Sequence, residues 1–307
     1  MVSNIENKSY LIVIGGPTAV GKTSVSIELA NAFGTEILSA DSRQCYREMN
    51  IGTAKPSRAE RSLAKHHFID NISIHEDYTV GDFEREAIAL LENELFKSQN
   101  TVLMTGGTGL YIKAVCEGLN NFPEVDLVIH ESLIKEYECS GITPLQEELK
   151  KDDPIYFEQA DNKNPHRIIR ALGVIRSSGN TFSQYWNTHK TPRCFTPIYI
   201  SLTLPREELY KRINNRVDLM IKEGLLEEAR ALHEFRHLRS LQTVGYQELF
   251  QHFEGYCSMD EAISKIKQHS RNYAKRQMTW FRNQGNWHEM DPADIPSIIL
   301  WIKEQIN

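Results

Sequence analysis

The sequence predicts a parallel α/β sheet flanked by helices and interrupted by a helical insertion, and three features carry that reading. Along residues 1–118, short apolar runs alternate with segments of helical period, the pattern of strands joined by crossover helices. From 119 to 196 the alternation gives way to polar, helix-prone sequence broken at Pro123, Pro144, Pro154, Pro165 and Pro192. At Ile198–Leu204 (IYISLTL) a strand-like run returns. The economical division is one α/β core, 1–118 with 197–307, and one helical insertion, 119–196.

Each element has a local cause. Tyr10–Ile14 (YLIVI) is a continuous apolar run closed by glycines, as expected of a strand buried on both faces. A helix is predicted from Lys22 to about Phe33, with Val25, Leu29 and Ala32 at helical spacing and Gly34 as its stop. Glu36–Ala40 reads as a second strand, 82–96 as a helix, and Thr101–Met104 (TVLM) as a third strand running into Gly106-Gly107. After Ile198–Leu204, Pro205 marks a helix start. Helical periodicity then covers 207–220, 225–238, 259–282 and 296–306.

Composition narrows the class. Hydrophobic residues make up 40% and charged residues 25%, values ordinary for a globular protein. No apolar run approaches the length of a membrane span, and the polar start does not resemble a leader peptide. The five cysteines are scattered without a CxxC pair, so reduced thiols in a cytoplasmic protein are expected. A net charge of −6 argues against nucleic acid, but its distribution does not. From Ala262 to His288 there is no acidic residue, while Lys265, Lys267, Arg271, Lys275, Arg276 and Arg282 fall in that stretch. Phosphates respond to local potential, although a solvated helix face explains such a run equally well.

The strongest chemical signal is Gly16-Pro17-Thr18-Ala19-Val20-Gly21-Lys22-Thr23, a G-x-x-x-x-G-K-[ST] loop between a predicted strand and a predicted helix. Loop and helix N–H groups point at phosphate oxygens in such a cradle. Lys22 adds charge, and the Thr23 hydroxyl suits a magnesium ion. A P-loop NTPase-like core follows. A nucleotide hydrolase, however, needs an apolar strand ending in an acidic metal ligand. Thr101–Met104 runs instead into Thr105-Gly106-Gly107-Thr108, and it is Ile37–Asp41 that ends in a carboxylate. Asp41 therefore either takes the metal role or does other chemistry beside the phosphates.

Further motifs go beyond phosphate binding. Asp41-Ser42-Arg43-Gln44-Cys45-Tyr46 precedes Ile51-Gly52-Thr53-Ala54-Lys55-Pro56 and Gly106-Gly107-Thr108-Gly109-Leu110-Tyr111. Arg167-Ile168-Ile169-Arg170-Ala171-Leu172, Thr243-Val244-Gly245-Tyr246 and Lys275-Arg276-Gln277-Met278-Thr279-Trp280-Phe281 complete the series. With the P-loop, these resemble the motif series of the tRNA dimethylallyltransferases, in that family's order, over nearly the whole chain. The absence of a C-terminal zinc module makes the chain similar to the short bacterial form.

The resemblance implies transfer of a dimethylallyl group from dimethylallyl diphosphate to the exocyclic amine of the adenosine 3′-adjacent to the anticodon. The P-loop then holds the diphosphate of the donor, although it looks like an ATP site, and Mg2+ is the expected cofactor. The resemblance makes Asp41 the general base. It assigns Thr108 to positioning the target base and Arg216 to stabilising the departing diphosphate. It places Asp41, Ser42, Arg43, Gln44, Thr108, His130, His166, Arg167, Ile168, Ile169, Arg170, Thr243, Val244, Gly245 and Tyr246 against the anticodon stem-loop of tRNA. A cytoplasmic monomer without membrane contact is expected.

The chemistry suits these residue types. Breaking an allylic carbon–oxygen bond puts positive charge on carbon and negative charge on the diphosphate, which fixed donors must stabilise. The amine becomes acidic only as its new bond forms, so a carboxylate is an adequate late acceptor. A base stacked in a loop must be swung out, at a cost of a few kcal/mol. By position alone, Asp41 fits a cap or metal ligand and Arg216 a surface helix residue. Thr108 fits a cap, and His66-His67 a structural pair.

The sequence departs from the family pattern at Gly173 (usually glutamate), His130 (commonly arginine) and Gln242 (often arginine), and none of these touches the P-loop or Asp41. Three rival readings remain at this level: a small-molecule P-loop kinase, an adenylate isopentenyltransferase, and an RNA-binding protein with a vestigial P-loop.

Overall fold

A computed structural model describes residues 8–186 and 191–306 and divides the chain into two compact units, 1–116 with 193–307 and 117–192. The division falls two residues before the expected first boundary and four before the second.

In the larger unit the first half runs β1 (Ser9–Gly15), α1 (Lys22–Phe33), β2 (Ile37–Ser39), α2 (Arg58–Leu63), β3 (His66–His67) and α3 (Val80–Leu90). A π-helical turn, Leu91–Leu95, links α3 to α4 (Phe96–Ser98), followed by β4 (Thr101–Thr105) and α5 (Gly109–Glu117). The smaller unit contains α6 (Leu127–Ser140), α7 (Thr143–Asp152), α8 (Pro154–Gln159) and α9 (Pro165–Ser178). The larger unit resumes with β5 (Phe195–Leu202), α10 (Arg206–Lys222), α11 (Leu225–Leu232), α12 (Tyr246–Phe253), α13 (Met259–Asn283), β6 (His288–Met290) and α14 (Ile295–Ile306).

The six strands are ordered β3-β2-β4-β1-β5-β6 and every pairing is parallel. This confirms the α/β fold read from the sequence. β1 lies between β4 and β5, so Leu11, Ile12, Val13 and Ile14 are fully buried. Burying each such side chain contributes roughly 1.5–3 kcal/mol. Two apolar layers cover the sheet: Ile12 and Ile14 face the side of α1 and α14, and Leu11 and Val13 the side of α3 and α5. A third apolar cluster gathers Met49, Leu225, Leu241, Tyr246 and Leu249.

Several short elements escaped the sequence reading, among them α2, β3, β6 and α12. β3 and β6 have two and three residues, too few for any period to register. α12 follows Gly245, whose left-handed φ of 99° and bond to Glu248 form a cap without a Ser, Thr, Asp or Asn signal. The helix expected over 225–238 stops at Leu232 and tightens into a 3-10 turn, His233–Phe235.

The smaller unit has its own core, with Leu133, Leu145, Leu149, Ile168 and Leu172 shielded from solvent. Gly173 belongs to this packing: a Cβ there would stand 2.8 Å from a Val125 methyl. The space that a glutamate needs is occupied. Among the described residues, no helix is long and apolar enough to cross a membrane.

Candidate active site

The P-loop joins β1 to α1 at the carboxyl end of the sheet, where ligands bind in open α/β folds. Its shape depends on left-handed residues: Gly16 at φ 143°, Ala19 at 65° and Gly21 at 112°. Val20 turns inward and is fully buried, pinning the loop to the core. The Lys22 ammonium donates to the carbonyls of Gly16 and Pro17, each at 2.9 Å, which leaves one of its three protons for a phosphate oxygen. Burial pushes the Lys22 pKa down to about 8, against the attraction of Asp41 and with the repulsion of Arg216.

Asp41 stands just beyond β2. Its Oδ1 accepts the backbone N–H of Arg43 at 2.9 Å and that of Gln44 at 3.4 Å, fixing the carboxylate on a tight turn. The Thr108 hydroxyl oxygen accepts the Ser42 N–H at 3.1 Å, tying that turn to the loop after β4. Arg216, on α10, donates from Nη1 to the Thr18 hydroxyl at 3.5 Å and from Nη2 to the Ala54 carbonyl at 3.4 Å. Burial lowers the Arg216 pKa and the Asp41 charge opposes that shift.

Lys22, Asp41 and Arg216 share one cavity of about 360 Å³, whose walls also include Thr23, Gly107 and Tyr273, while Thr108 stands next to Gly107 outside that lining. A larger cavity, about 790 Å³, adjoins it and shares Thr23, Ala54, Glu60 and Arg216. Lys22 and Asp41 line only the smaller one. The Thr23 hydroxyl, with the carboxylates of Asp41 and Glu60 on the same wall, suits magnesium. Such an ion takes most of its ligands from phosphate and water. Among the described residues, no group of three or more His, Cys, Asp or Glu forms a protein cage for a metal.

Two site residues lay unassigned in the sequence, both on α13. Gln277 is nearly buried: its Oε1 accepts the Thr18 N–H at 2.8 Å and its Nε2 donates to the Gly107 carbonyl at 3.0 Å. The Thr18 amide, expected to serve the donor, is thereby committed to Gln277. Tyr273, one turn earlier, lines the cavity and lies close to Thr108. Burial of the Tyr273 hydroxyl pushes its pKa up to about 12, with Asp41 adding to the shift, although the residue as a whole remains 37% exposed. A usable signal existed: Ala274, Gln277 and Phe281 fall on the buried face of α13, where a glutamine is out of place unless bonded.

The residues expected to touch RNA divide sharply. Arg43 donates to the Ser240 carbonyl at 3.0 Å, and Gln44 Nε2 to the carbonyls of Thr53 and Ala54 at 3.3 and 3.2 Å. Their side-chain donors therefore brace the site. In the smaller unit, His130, His166, Arg167 and Arg170 are exposed, with the His166 N–H donating to Asn164 Oδ1 at 3.1 Å. Ile168 and Ile169 contradict the expectation, because both side chains sit in the core of that unit. Thr243 and Val244 are half-buried, and Gly245 is held through its N–H by Glu248 at 2.7 Å. Tyr246 also requires correction: it is fully buried and its hydroxyl donates to Glu228 at 2.7 Å. It supports its loop from beneath and offers no surface to RNA.

His67 and Gln242 have structural partners. His67 Nε2 meets Glu36 at 2.6 Å in the β2–β3 edge. Gln242 spans from the Arg236 carbonyl to Gln247, at 2.6 Å on each side.

Comparison with known proteins identifies the family and agrees with the fold. A sequence model described as IPP transferase matches residues 44–284. The tRNA dimethylallyltransferase of Christiangramia forsetii is 50% identical over 301 residues, 97% of this chain and 99% of its own length. That of Flavobacterium johnsoniae is 47% identical over 305 residues, covering 97% and 98%. Among solved structures, the tRNA isopentenylpyrophosphate transferase of Bacillus halodurans matches with a TM-score of 0.72 at 36% identity, over 97% of each chain. A eukaryotic dimethylallyltransferase acting on tRNA gives 0.78 at 25% identity, over 92% of this chain and 74% of its own. Identity at this level over nearly the whole length, with the family model spanning most of it, shows the family: the chain belongs to the IPP transferase family, alongside the tRNA dimethylallyltransferases.

Proposed function

We infer that this chain transfers a dimethylallyl group from dimethylallyl diphosphate to the exocyclic amine of the tRNA adenosine 3′-adjacent to the anticodon. One observation carries the reading: a phosphate-binding loop, a carboxylate fixed on a turn and a half-buried arginine line the same small cavity.

The amine nitrogen attacks the allylic carbon, the carbon–oxygen bond breaks, and its electron pair leaves with the diphosphate. Loop amides, Lys22 and Arg216 hold the developing negative charge. Asp41 accepts the proton released from the amine once the new C–N bond forms. The Arg43 and Gln44 amides keep its carboxylate on the cavity wall. Thr108, tied to Ser42, orients the target base. Magnesium, when bound at Thr23, would neutralise diphosphate charge. The exposed Arg167 and Arg170 supply contacts to the tRNA backbone from the helical unit.

The test uses purified protein, labelled dimethylallyl diphosphate, magnesium and unmodified tRNA, with label counted on RNA. Label on tRNA that depends on Asp41 supports the reaction. Label only on AMP supplied in place of tRNA, or turnover of ATP without transfer, would replace it with one of the rival readings.

A further inference from the structure

Glu228, on α11, lies outside every motif that the sequence offers, yet its carboxylate is the most heavily used acceptor near the site. Oε2 accepts the backbone N–H of Asn50 at 3.0 Å and of Ile51 at 2.9 Å. Oε1 accepts the N–H of Gly52 at 3.0 Å and the Tyr246 hydroxyl at 2.7 Å. Three successive amides thus form a nest filled by the protein's own carboxylate. Gly52 lies against the buried Tyr246 side chain, where a Cβ would meet two ring carbons at 2.5 and 2.6 Å and the hydroxyl oxygen at 2.7 Å.

The turn held in this way leads directly to the reacting groups. The Ala54 N–H donates to the Ile51 carbonyl at 2.9 Å, and Ala54 itself is forced to a left-handed φ of 49°. That conformation aims the Ala54 carbonyl at Arg216 Nη2, 3.4 Å away, and at Gln44 Nε2, 3.2 Å away. Gln44 belongs to the turn that carries Asp41, and Arg216 reaches the Thr18 hydroxyl of the P-loop.

We propose that Glu228 is a positioning residue for the transfer reaction: by clamping the 50–52 amides against Tyr246, it sets the Ala54 carbonyl that orients Arg216 toward the leaving diphosphate. The proposal rests on the transfer reaction inferred above. A glutamine cannot substitute. Whichever way its amide is turned, the NH2 group faces a backbone donor, so the nest is left partly unsatisfied.

The experiment is a double-mutant cycle between Glu228→Gln and Arg216→Ala, read in two ways: affinity for inorganic diphosphate with magnesium, and kcat for prenylation of tRNA. In the Arg216-containing protein, Glu228→Gln is expected to lower kcat roughly tenfold to a hundredfold and to weaken diphosphate binding about fivefold. In the Arg216→Ala background both effects shrink to about twofold or less. Equal losses in both backgrounds, or wild-type values for Glu228→Gln, would overturn the proposal. If Glu228→Gln does not fold, Tyr246→Phe, which removes one of the bonds, enters the same cycle with smaller effects of the same pattern. The diphosphate arm separates the two readings. Coupling there without any wild-type transfer to tRNA would sink the reaction and keep the positioning role, and transfer without coupling would do the reverse.

Discussion

Gln277 and Thr18 are joined across 259 residues of sequence by a 2.8 Å bond from the Thr18 N–H to the Gln277 side-chain oxygen. The same amide group donates to the Gly107 carbonyl at 3.0 Å. One buried side chain thus fixes the spacing between the phosphate loop and the loop after β4. Gln277→Leu keeps the volume and strands a buried donor and a buried acceptor, at about 1–3 kcal/mol each. We expect diphosphate affinity to fall about tenfold or more and the melting temperature to drop by several degrees. Calorimetry with inorganic diphosphate and a thermal melt check both.

Asp41→Asn separates chemistry from architecture. The asparagine oxygen still accepts the Arg43 and Gln44 N–H groups, so the turn survives. What disappears is the proton acceptor. The rate of transfer is expected to fall by roughly a hundredfold to ten-thousandfold, with donor KM and melting temperature little changed. A single-turnover measurement that returned the wild-type rate would remove Asp41 from the base role.

How far the sequence reveals this site depends on whether a contact is local. The P-loop is legible because its geometry is encoded in eight adjacent residues, with Gly16 and Gly21 supplying the left-handed positions. Asp41 is legible because a carboxylate follows a short apolar run. Gln277–Thr18 and Glu228–Gly52 are not, because each joins segments that become neighbours only after the sheet and its helices are assembled. Ile168 and Ile169 were misassigned despite a local signal. In a helix, residues 167 and 170 share one face and 168 and 172 another, and that period alone separates the exposed arginines from the core. Tyr246 carried no such signal: a tyrosine next to glycine reads equally as a base-stacking surface and as a buried prop.

Lys22 ties donor binding to pH. Burial favours its neutral amine and brings its pKa to about 8, even though the Asp41 charge favours the ammonium form. Diphosphate binds the ammonium form, so affinity is greatest below that pKa and falls as pH rises through it, by up to about tenfold per unit. Binding at about pH 8.5 should take up a proton, visible as a buffer-dependent heat. Lys22→Met removes this component, and the difference between the two proteins isolates the lysine from titration of diphosphate itself. Identical pH profiles would show that the ammonium does not contribute.

Gly106→Ala tests the close approach of two backbones. A Cβ at this position would stand 2.1 Å from the Ala40 carbonyl oxygen and 2.5 Å from its carbon, with no flexible side chain to yield. Either β2 or the loop after β4 must move, and Ala40 is followed at once by Asp41. The expected cost is about 1–3 kcal/mol of stability, with a rate loss beyond tenfold because catalytic alignment tolerates little displacement. A wild-type melting temperature with wild-type turnover would contradict this close packing of Gly106 against Ala40.

Arg167 and its neighbour Ile168 give a matched pair of variants that separates RNA contact from folding within the helical unit. Arg167 is exposed on α9, while Ile168 is fully buried beside Leu133 and Leu172. Arg167→Ala removes one phosphate-seeking charge. It should weaken tRNA binding several-fold and flatten the dependence of log affinity on log salt by about 0.7 to 0.9. Diphosphate affinity and melting temperature should stay unchanged, since no core contact is lost. Ile168→Ala leaves every charge in place and opens a cavity, at roughly 2–5 kcal/mol. It should lower stability without altering the salt slope of whatever tRNA binding survives, because that slope counts ionic contacts alone. Filter binding across a salt series, run beside thermal melts, reads both variants. An unchanged slope for Arg167→Ala would take this face of α9 out of the RNA-binding surface.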